Sequence, residues 1–247
     1  MDKKVVVVGG ASGVGAACVR SLAEAGASVV SLDRSEESGR SVAEKAGQTF
    51  LQCDVTDRDQ VFAVMDEAVG VLGALDSLVH AAGILVQGPA EDVTDRDWAR
   101  VMDVNARGPM LTNQAAFPHL RKGERSSIAN FASSSALTAY PNGAMYAASK
   151  GAVTAWTRTI AVEWATHGIR ANVIHPSAST AMLEQHRAKM TEEELAAFDA
   201  AIRQKIPLGG VFGDPDRDIA PVITFLVSDG ARFMTGQNIA INGGYYI

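Results

Sequence analysis

Val5-Val6-Val7-Val8-Gly9-Gly10-Ala11-Ser12-Gly13-Val14-Gly15 is the stretch that decides the fold. Four consecutive β-branched residues, apolar on both faces, predict a strand buried on both sides, as in the middle of a parallel sheet. The glycines after it permit a tight turn and a close approach of backbone to ligand. Ala16 to Ala25 then has helical character and stops at Gly26. A strand that turns through glycines onto a helix N-terminus presents free N–H groups and a positive dipole end, which suits a pyrophosphate. The alternative is an ordinary glycine-rich turn, and placement directly after a buried strand favours the phosphate reading.

Outward from this unit, strands and helices alternate. Ser28 to Leu32 forms a second strand ending at Asp33, about 20 residues past the loop, where a dinucleotide fold puts a carboxylate on the adenosine ribose. Asp33 could instead cap the helix expected from Glu36 to Ala46. Further strands are expected at Thr49–Cys53, closed by Asp54-Val55, then at Leu75–His80, Ser127–Ser133, Ile169–His175 and Asn238–Ile241. Helices are expected from a cap at Thr56 or Asp57 to Leu72, from Asp97 to Leu120 with Asn105 inside and Pro109 disturbing it, and from Ala144 to His167. Two more follow, one opened by the capping box Thr191-Glu192-Glu193-Glu194 and one over Pro215–Val227. This rhythm predicts an α/β doubly wound parallel sheet with helices on both faces and right-handed crossovers. The carboxyl ends of its strands gather Gly9–Gly15, Asp33, Asp54, Ala81–Gly83, Ser133 and Pro176 along one crevice.

Composition sets the bounds. A chain of 247 residues with 47% hydrophobic content can bury one large core, and no linker or repeat divides it, so a single domain over 1–247 is expected. A net charge of −6 argues against a nucleic-acid surface. No run of 18 apolar residues and no signal-type leader is present, so the expectation is a cytoplasmic protein without a membrane partner. Cys18 and Cys53 are expected as buried thiols. The histidines, His80, His119, His167, His175 and His186, show no metal-ligand spacing, and no metal is expected.

Tyr146 and Lys150 stand four apart and share a helical face. A phenol titrates near 10, too high for a base at neutral pH, and a nearby ammonium is expected to lower it. Ser133, at the end of the neighbouring strand, can hydrogen-bond an oxygen held beside the phenol. The trio can move a proton while a cofactor moves a hydride. Tyr-x-x-x-Lys alone could be an accidental surface pair; Ser133 and the dinucleotide crevice favour the catalytic reading.

Over essentially its full length the chain resembles the short-chain dehydrogenase/reductases. The resemblance rests on Gly9-x-x-x-Gly13-x-Gly15, Asp54-Val55, His80-Ala81-Ala82-Gly83, Val104-Asn105-Ala106-Arg107-Gly108, Ser133, Tyr146-Ala147-Ala148-Ser149-Lys150 and Ile169-Arg170-Ala171-Asn172, in that order. Pro207-Leu208-Gly209 and Asn242-Gly243-Gly244 add to it. It implies a Rossmann-type fold and a catalytic set of Asn105, Ser133, Tyr146 and Lys150. Tyr146 would be the acid/base and Ser133 would polarise the substrate oxygen. Lys150 would hold the nicotinamide ribose, and Asn105 would hold a water in a proton relay. The cofactor would lie along Gly9, Ser12, Gly13, Val14, Gly15, Asp33, Asp54, Val55, Ala81, Ala82 and Gly83, ending at Tyr146, Lys150, Pro176, Ser177 and Thr180. Departures are Val8 for the usual Thr or Ser, His80 for Asn, Ser177 for Gly, and a segment to Thr180 one residue short.

The expected activity is interconversion of a secondary alcohol and a ketone with NAD, on a small, largely apolar substrate. Ala136, Leu137, Tyr140, Met145, Met182 and Leu183 are expected near the pocket. The charge of Asp33 and the absence of a basic residue at Ser12 favour NAD over NADP. Two alternatives remain: an NADP-dependent 3-oxoacyl-type reductase, and a non-catalytic dinucleotide-sensing protein of the same fold. Ser177 to Pro207 is expected to form a lid over the pocket, with Arg187, Lys189, Arg203 and Lys205 in solvent. A homo-oligomer, tetramer or dimer, follows from the resemblance only.

Overall fold

The structure, a computed structural model, describes residues 1–180, 183–184 and 187–245. Its sheet has the order β3-β2-β1-β4-β5-β6-β7 with every pairing parallel. The strands are β1 (Lys4–Val8), β2 (Ser28–Asp33), β3 (Thr49–Gln52), β4 (Ser77–His80), β5 (Ser126–Phe131), β6 (Ile169–Pro176) and β7 (Asn238–Ile241). Strand order reverses between β1 and β4, so the glycine loop leaves the sheet at its topological switch point.

The valines of β1 explain the layering. All four are fully buried, Val6 and Val8 in one core layer and Val5 and Val7 in the other, as the period of two along a strand requires. The first layer is closed by α3 (Arg58–Leu72), α5 (Gly108–Leu120) and α6 (Ala144–Glu163). The second is closed by α1 (Gly13–Glu24) and, late in the chain, α8 (Ala220–Val227). The remaining helices are α2 (Glu36–Lys45), α4 (Asp95–Met102) and α7 (Glu192–Lys205). Cys18 and Cys53 are buried free thiols.

Local chemistry sets the ends of these elements. Asp57, rather than Thr56, caps α3 by accepting the Gln60 N–H, and Gly73 closes it in a left-handed conformation (φ 76°). Thr191 and Glu194 form the expected capping box on α7. The segment expected as one helix from Asp97 to Leu120 begins at Asp95, capped by Thr94, and is interrupted by a π-helical turn at Asp103–Arg107. The interruption lies directly before Pro109, the second residue of α5, whose missing N–H cannot continue the i→i+4 ladder across the junction. Pro215–Ile219 is likewise π-helical ahead of α8. Strand β5 ends at Phe131, so Ser133 stands two residues beyond the sheet.

Candidate active site

The loop after β1 is shaped by contacts that only glycine allows. Gly9 has φ +86°, and a Cβ there would lie 2.4 Å from the Ala82 amide nitrogen, so the loop backbone abuts the segment leaving β4. A Cβ on Gly15 would lie 1.9 Å from the Gly9 carbonyl oxygen. Ser12 is the N-cap of α1 with an extended backbone, yet its side chain caps nothing, and the first turn carries no acid. The uncapped N–H groups of Gly13, Val14 and Gly15 thus form an anion cradle of the kind a pyrophosphate fills. Thr180 borders the cradle, its Cγ2 3.9 Å from the Cβ position of Gly13, despite the shortened segment before it.

Asp33 lies at the end of β2, with Oδ2 accepting the Ala11 N–H (3.1 Å) and Oδ1 the Ser35 N–H (2.9 Å). It ties the glycine loop to the next turn; the N-cap of α2 is Ser35. Asp54 Oδ1 accepts from the Thr56 amide (2.9 Å) and hydroxyl (2.7 Å), and Val55 packs against the start of α5 at Gly108. Asp33, Asp54 and Val55 therefore border the glycine-loop side of the crevice, and the residues present fit a dinucleotide.

On the other side the π turn brings Asn105 inward. Fully buried, its Oδ1 accepts the Ile84 N–H (2.8 Å), while Nδ2 donates to the Ile84 carbonyl (2.9 Å) and Ser149 Oγ (3.0 Å). The Cβ position of Gly83 lies 3.2 Å from Lys150 Nζ and 3.3 Å from Asn105 Oδ1, so both side chains converge on Gly83. Lys150 is buried on α6 and donates to the Phe131 carbonyl (3.0 Å). Its Nζ is 5.8 Å from the centre of the Tyr146 ring, and the Tyr146 phenol lies near the Ser133 side chain. Ser133 is extended (φ −164°, ψ 155°) and its Oγ accepts the Ser135 N–H (3.2 Å).

The electrostatics correct one expectation. Burial pushes the Tyr146 phenol up to about 12, with the Ser133 side chain pulling down and the Tyr140 phenol pushing up. Burial also brings the Lys150 ammonium down to about 8. The i,i+4 spacing sets Nζ beneath the ring and commits it to a main-chain carbonyl, so the ammonium does not offset the desolvation of the phenol. Arg187 has a protein partner on the surface. Expected in solvent rather than on the substrate, it makes paired bonds to Asp199 of α7 (2.5 and 3.1 Å) at a partly exposed position.

Several neighbours escaped the sequence reading. Gln87 Nε2 donates to the Tyr140 hydroxyl (3.0 Å), and the Tyr140 ring lies 6.3 Å from that of Tyr146, so the loop after β4 is joined to the entrance of the site. His80 is buried with Nδ1 2.8 Å from Thr112 Oγ1; burial and the Lys150 charge push it down to about 3. The sequence marks His175 only as a histidine without metal-ligand spacing, although a polar residue on an apolar strand just before a proline is a usable signal. Met145 is buried, Leu137 is exposed, and Met182 lies outside the described residues. Among the described residues no group of His, Cys, Asp or Glu could hold a metal ion.

Comparison with known proteins identifies the family. The family model described as enoyl-(acyl carrier protein) reductase matches residues 9–246. The chain is 35% identical to cyclopentanol dehydrogenase from Comamonas sp., over 99% of this chain and 97% of the relative. It is 36% identical to a 3-oxoacyl-[acyl-carrier-protein] reductase from Thermotoga maritima, over 99% and 98%. The ligand-free structure of aldohexose dehydrogenase from Thermoplasma acidophilum superposes with a TM-score of 0.90 at 28% identity, covering 99% of this chain and 94% of that one. The chain belongs to the short-chain dehydrogenase/reductase family and is an oxidoreductase of that family.

Proposed function

We propose that the protein is an NAD-dependent dehydrogenase that interconverts a secondary alcohol and its ketone. The observation that carries this reading is the buried Lys150 beside the Tyr146 ring, bonded to the end of β5 and converging with Asn105 on Gly83, next to the segment that packs on the glycine loop. A nicotinamide dinucleotide, when bound, supplies the hydride acceptor for oxidation and the hydride donor for reduction.

This chain's own residues do the rest. Gly13, Val14 and Gly15 hold the pyrophosphate with main-chain N–H groups, and Asp33 holds the adenosine ribose. Asp54 and Val55 border the adenine, and Ala81, Ala82 and Gly83 form the floor beside it. Lys150 holds the nicotinamide ribose, and Pro176, Ser177 and Thr180 border the nicotinamide. Ser133 hydrogen-bonds the substrate oxygen and Tyr146 exchanges a proton with it. Asn105, held by the Ile84 backbone and lying beside Gly83 as Lys150 does, supports proton exchange between Lys150 and solvent. The segment from Ser177 to Pro207 covers the substrate, with α7 turning Ile202 inward. The chain works in the cytoplasm as a homo-oligomer.

A second reading has support from the Thermotoga relative: an NADP-dependent reductase of 3-oxoacyl substrates. Charge at Asp33 separates the two. A carboxylate facing a 2′-phosphate is a like-charge contact costing several kcal/mol, so NAD is preferred by at least ~10-fold in kcat/KM. Cyclopentanol, cyclohexanol, threitol and a 3-hydroxyacyl thioester, each assayed with NAD and NADP, test the proposal. Turnover of a cyclic alcohol with NAD supports it, and Asp33→Ala should erode the preference. Equal efficiency with both cofactors, or turnover of the thioester alone with NADP, overturns it.

A further inference from the structure

The β5–β6 ladder ends at an unusual place. Its last register pair is Phe131↔Ile174, and Ala132 N–H still donates to the Ile174 carbonyl (2.8 Å). In a parallel ladder the next donor owed to this edge is the amide of the residue two beyond Ile174. That residue is Pro176, which has no N–H. The chain leaving β5 thus loses its main-chain tie to β6 one residue before Ser133.

A side chain takes over. His175 is fully buried, and its Nδ1 lies 2.8 Å from the Ser133 carbonyl oxygen. A carbonyl only accepts, so Nδ1 carries a hydrogen and donates it. The same carbonyl accepts the Ala136 N–H (3.0 Å), closing the short turn after Ser133. At the other end of the ring, Nε2 lies 3.1 Å from the side-chain amide of Asn238 on β7. The imidazole is therefore fixed between the edge strand and the main chain of Ser133.

We infer that His175 is a positioning residue for the reaction: its Nδ1–H replaces the missing rung, fixes the Ser133 peptide and so aims the Ser133 hydroxyl at the substrate oxygen. The inference rests on the role proposed for Ser133. Misplacing a catalytic group by about 1 Å can cost on the order of 100-fold, so a lost anchor here is measurable.

Two replacements separate the ends of the ring. Asparagine carries its NH2 on Cγ, as the imidazole carries Nδ1, so His175→Asn keeps the donor to Ser133 and loses the contact with Asn238. Glutamine carries its NH2 one bond further out, so His175→Gln keeps the outer contact and loses the inner one. Asn238→Ala removes the outer contact while leaving the histidine and its donor to Ser133 in place. Each is measured for kcat and KM with NAD and the cyclic alcohol fastest for the wild type, for NADH affinity by fluorescence, and for melting temperature. His175→Gln should lose ~10-fold or more in kcat with NADH affinity unchanged, while His175→Asn and Asn238→Ala stay within about 3-fold of wild type. Placed on Ser133→Ala, His175→Gln should cost no further activity, because the group it positions is gone. Equal losses in the two His175 variants, no loss in either, a loss in Asn238→Ala matching His175→Gln, or an additive loss on Ser133→Ala overturns the inference. A Ser133→Ala variant with wild-type turnover, or a wild type that oxidises none of the alcohols, overturns instead the reading on which it rests.

Discussion

Tyr146 and Lys150 are buried side by side with opposite consequences. The phenol is pushed up to about 12 and stays protonated across the neutral range, while the ammonium, brought down to about 8, titrates within the working range. A protonated phenol donates, so ketone reduction should be flat from pH 6 and decline as pH rises through about 8, where Lys150 loses its charge. Alcohol oxidation needs the phenolate and should rise with pH through neutrality, less steeply above about 8 as Lys150 loses its charge. A plateau of oxidation near neutrality would contradict this, and pH profiles in both directions decide it. His80 gives a parallel effect on stability. Its folded pKa lies below the ordinary 6.5, so between 6.5 and about 3 the unfolded chain binds a proton that the folded chain refuses. Stability is therefore lost as pH falls, by about 2 kcal/mol between pH 7 and pH 5. Urea unfolding at the two pH values should show that loss in the wild type and its absence in His80→Asn.

At the scale of elements, the strand–glycine–helix unit depends on backbone contacts, and glycines separate cleanly by them. Gly15→Ala drives a methyl into the Gly9 carbonyl, whereas Gly70→Ala on α3 meets nothing within 4 Å. Gly15→Ala should destabilise by about 1–3 kcal/mol and weaken NADH binding at least ~10-fold. Gly70→Ala should stabilise by roughly 0.5–1 kcal/mol and leave binding unchanged, as melting and fluorescence titration will show. Most elements were legible because periodicity and punctuation agreed: the valine run, the capping box at Thr191 and the glycine at 26 mark features that the structure has. The π turn at Asp103–Arg107 was not legible beyond a disturbance, because Asp-Val-Asn-Ala-Arg contains nothing that distinguishes an i→i+5 bond from an i→i+4 bond. The Tyr-Lys pair and Ser133 were legible as spacing, but the direction of the phenol shift was not. It depends on the depth of burial and on the Phe131 carbonyl that holds Lys150, both long-range facts. The same holds for His175, whose role comes from a register that leaves Pro176 opposite the end of β5.

For the molecule as a whole, the seven parallel strands bring residues from six strand ends to one crevice, and the outer surface keeps large apolar groups in water. Phe233 is fully exposed before β7 and Phe225 is 46% exposed on α8, apolar groups of the kind that a second copy can cover. Sedimentation should show an assembled species that Phe233→Glu weakens without loss of the fold; a wild type that sediments as a monomer would remove the assembly from the account. The central claim is that this crevice is catalytic and that Tyr146 is its acid/base. Tyr146→Phe deletes one oxygen and leaves the glycine loop, Asp33 and Lys150 in place. Turnover of a cyclic secondary alcohol with NAD should fall by at least about 10²-fold in Tyr146→Phe while NADH binds with wild-type affinity; near wild-type turnover in that variant would contradict the account.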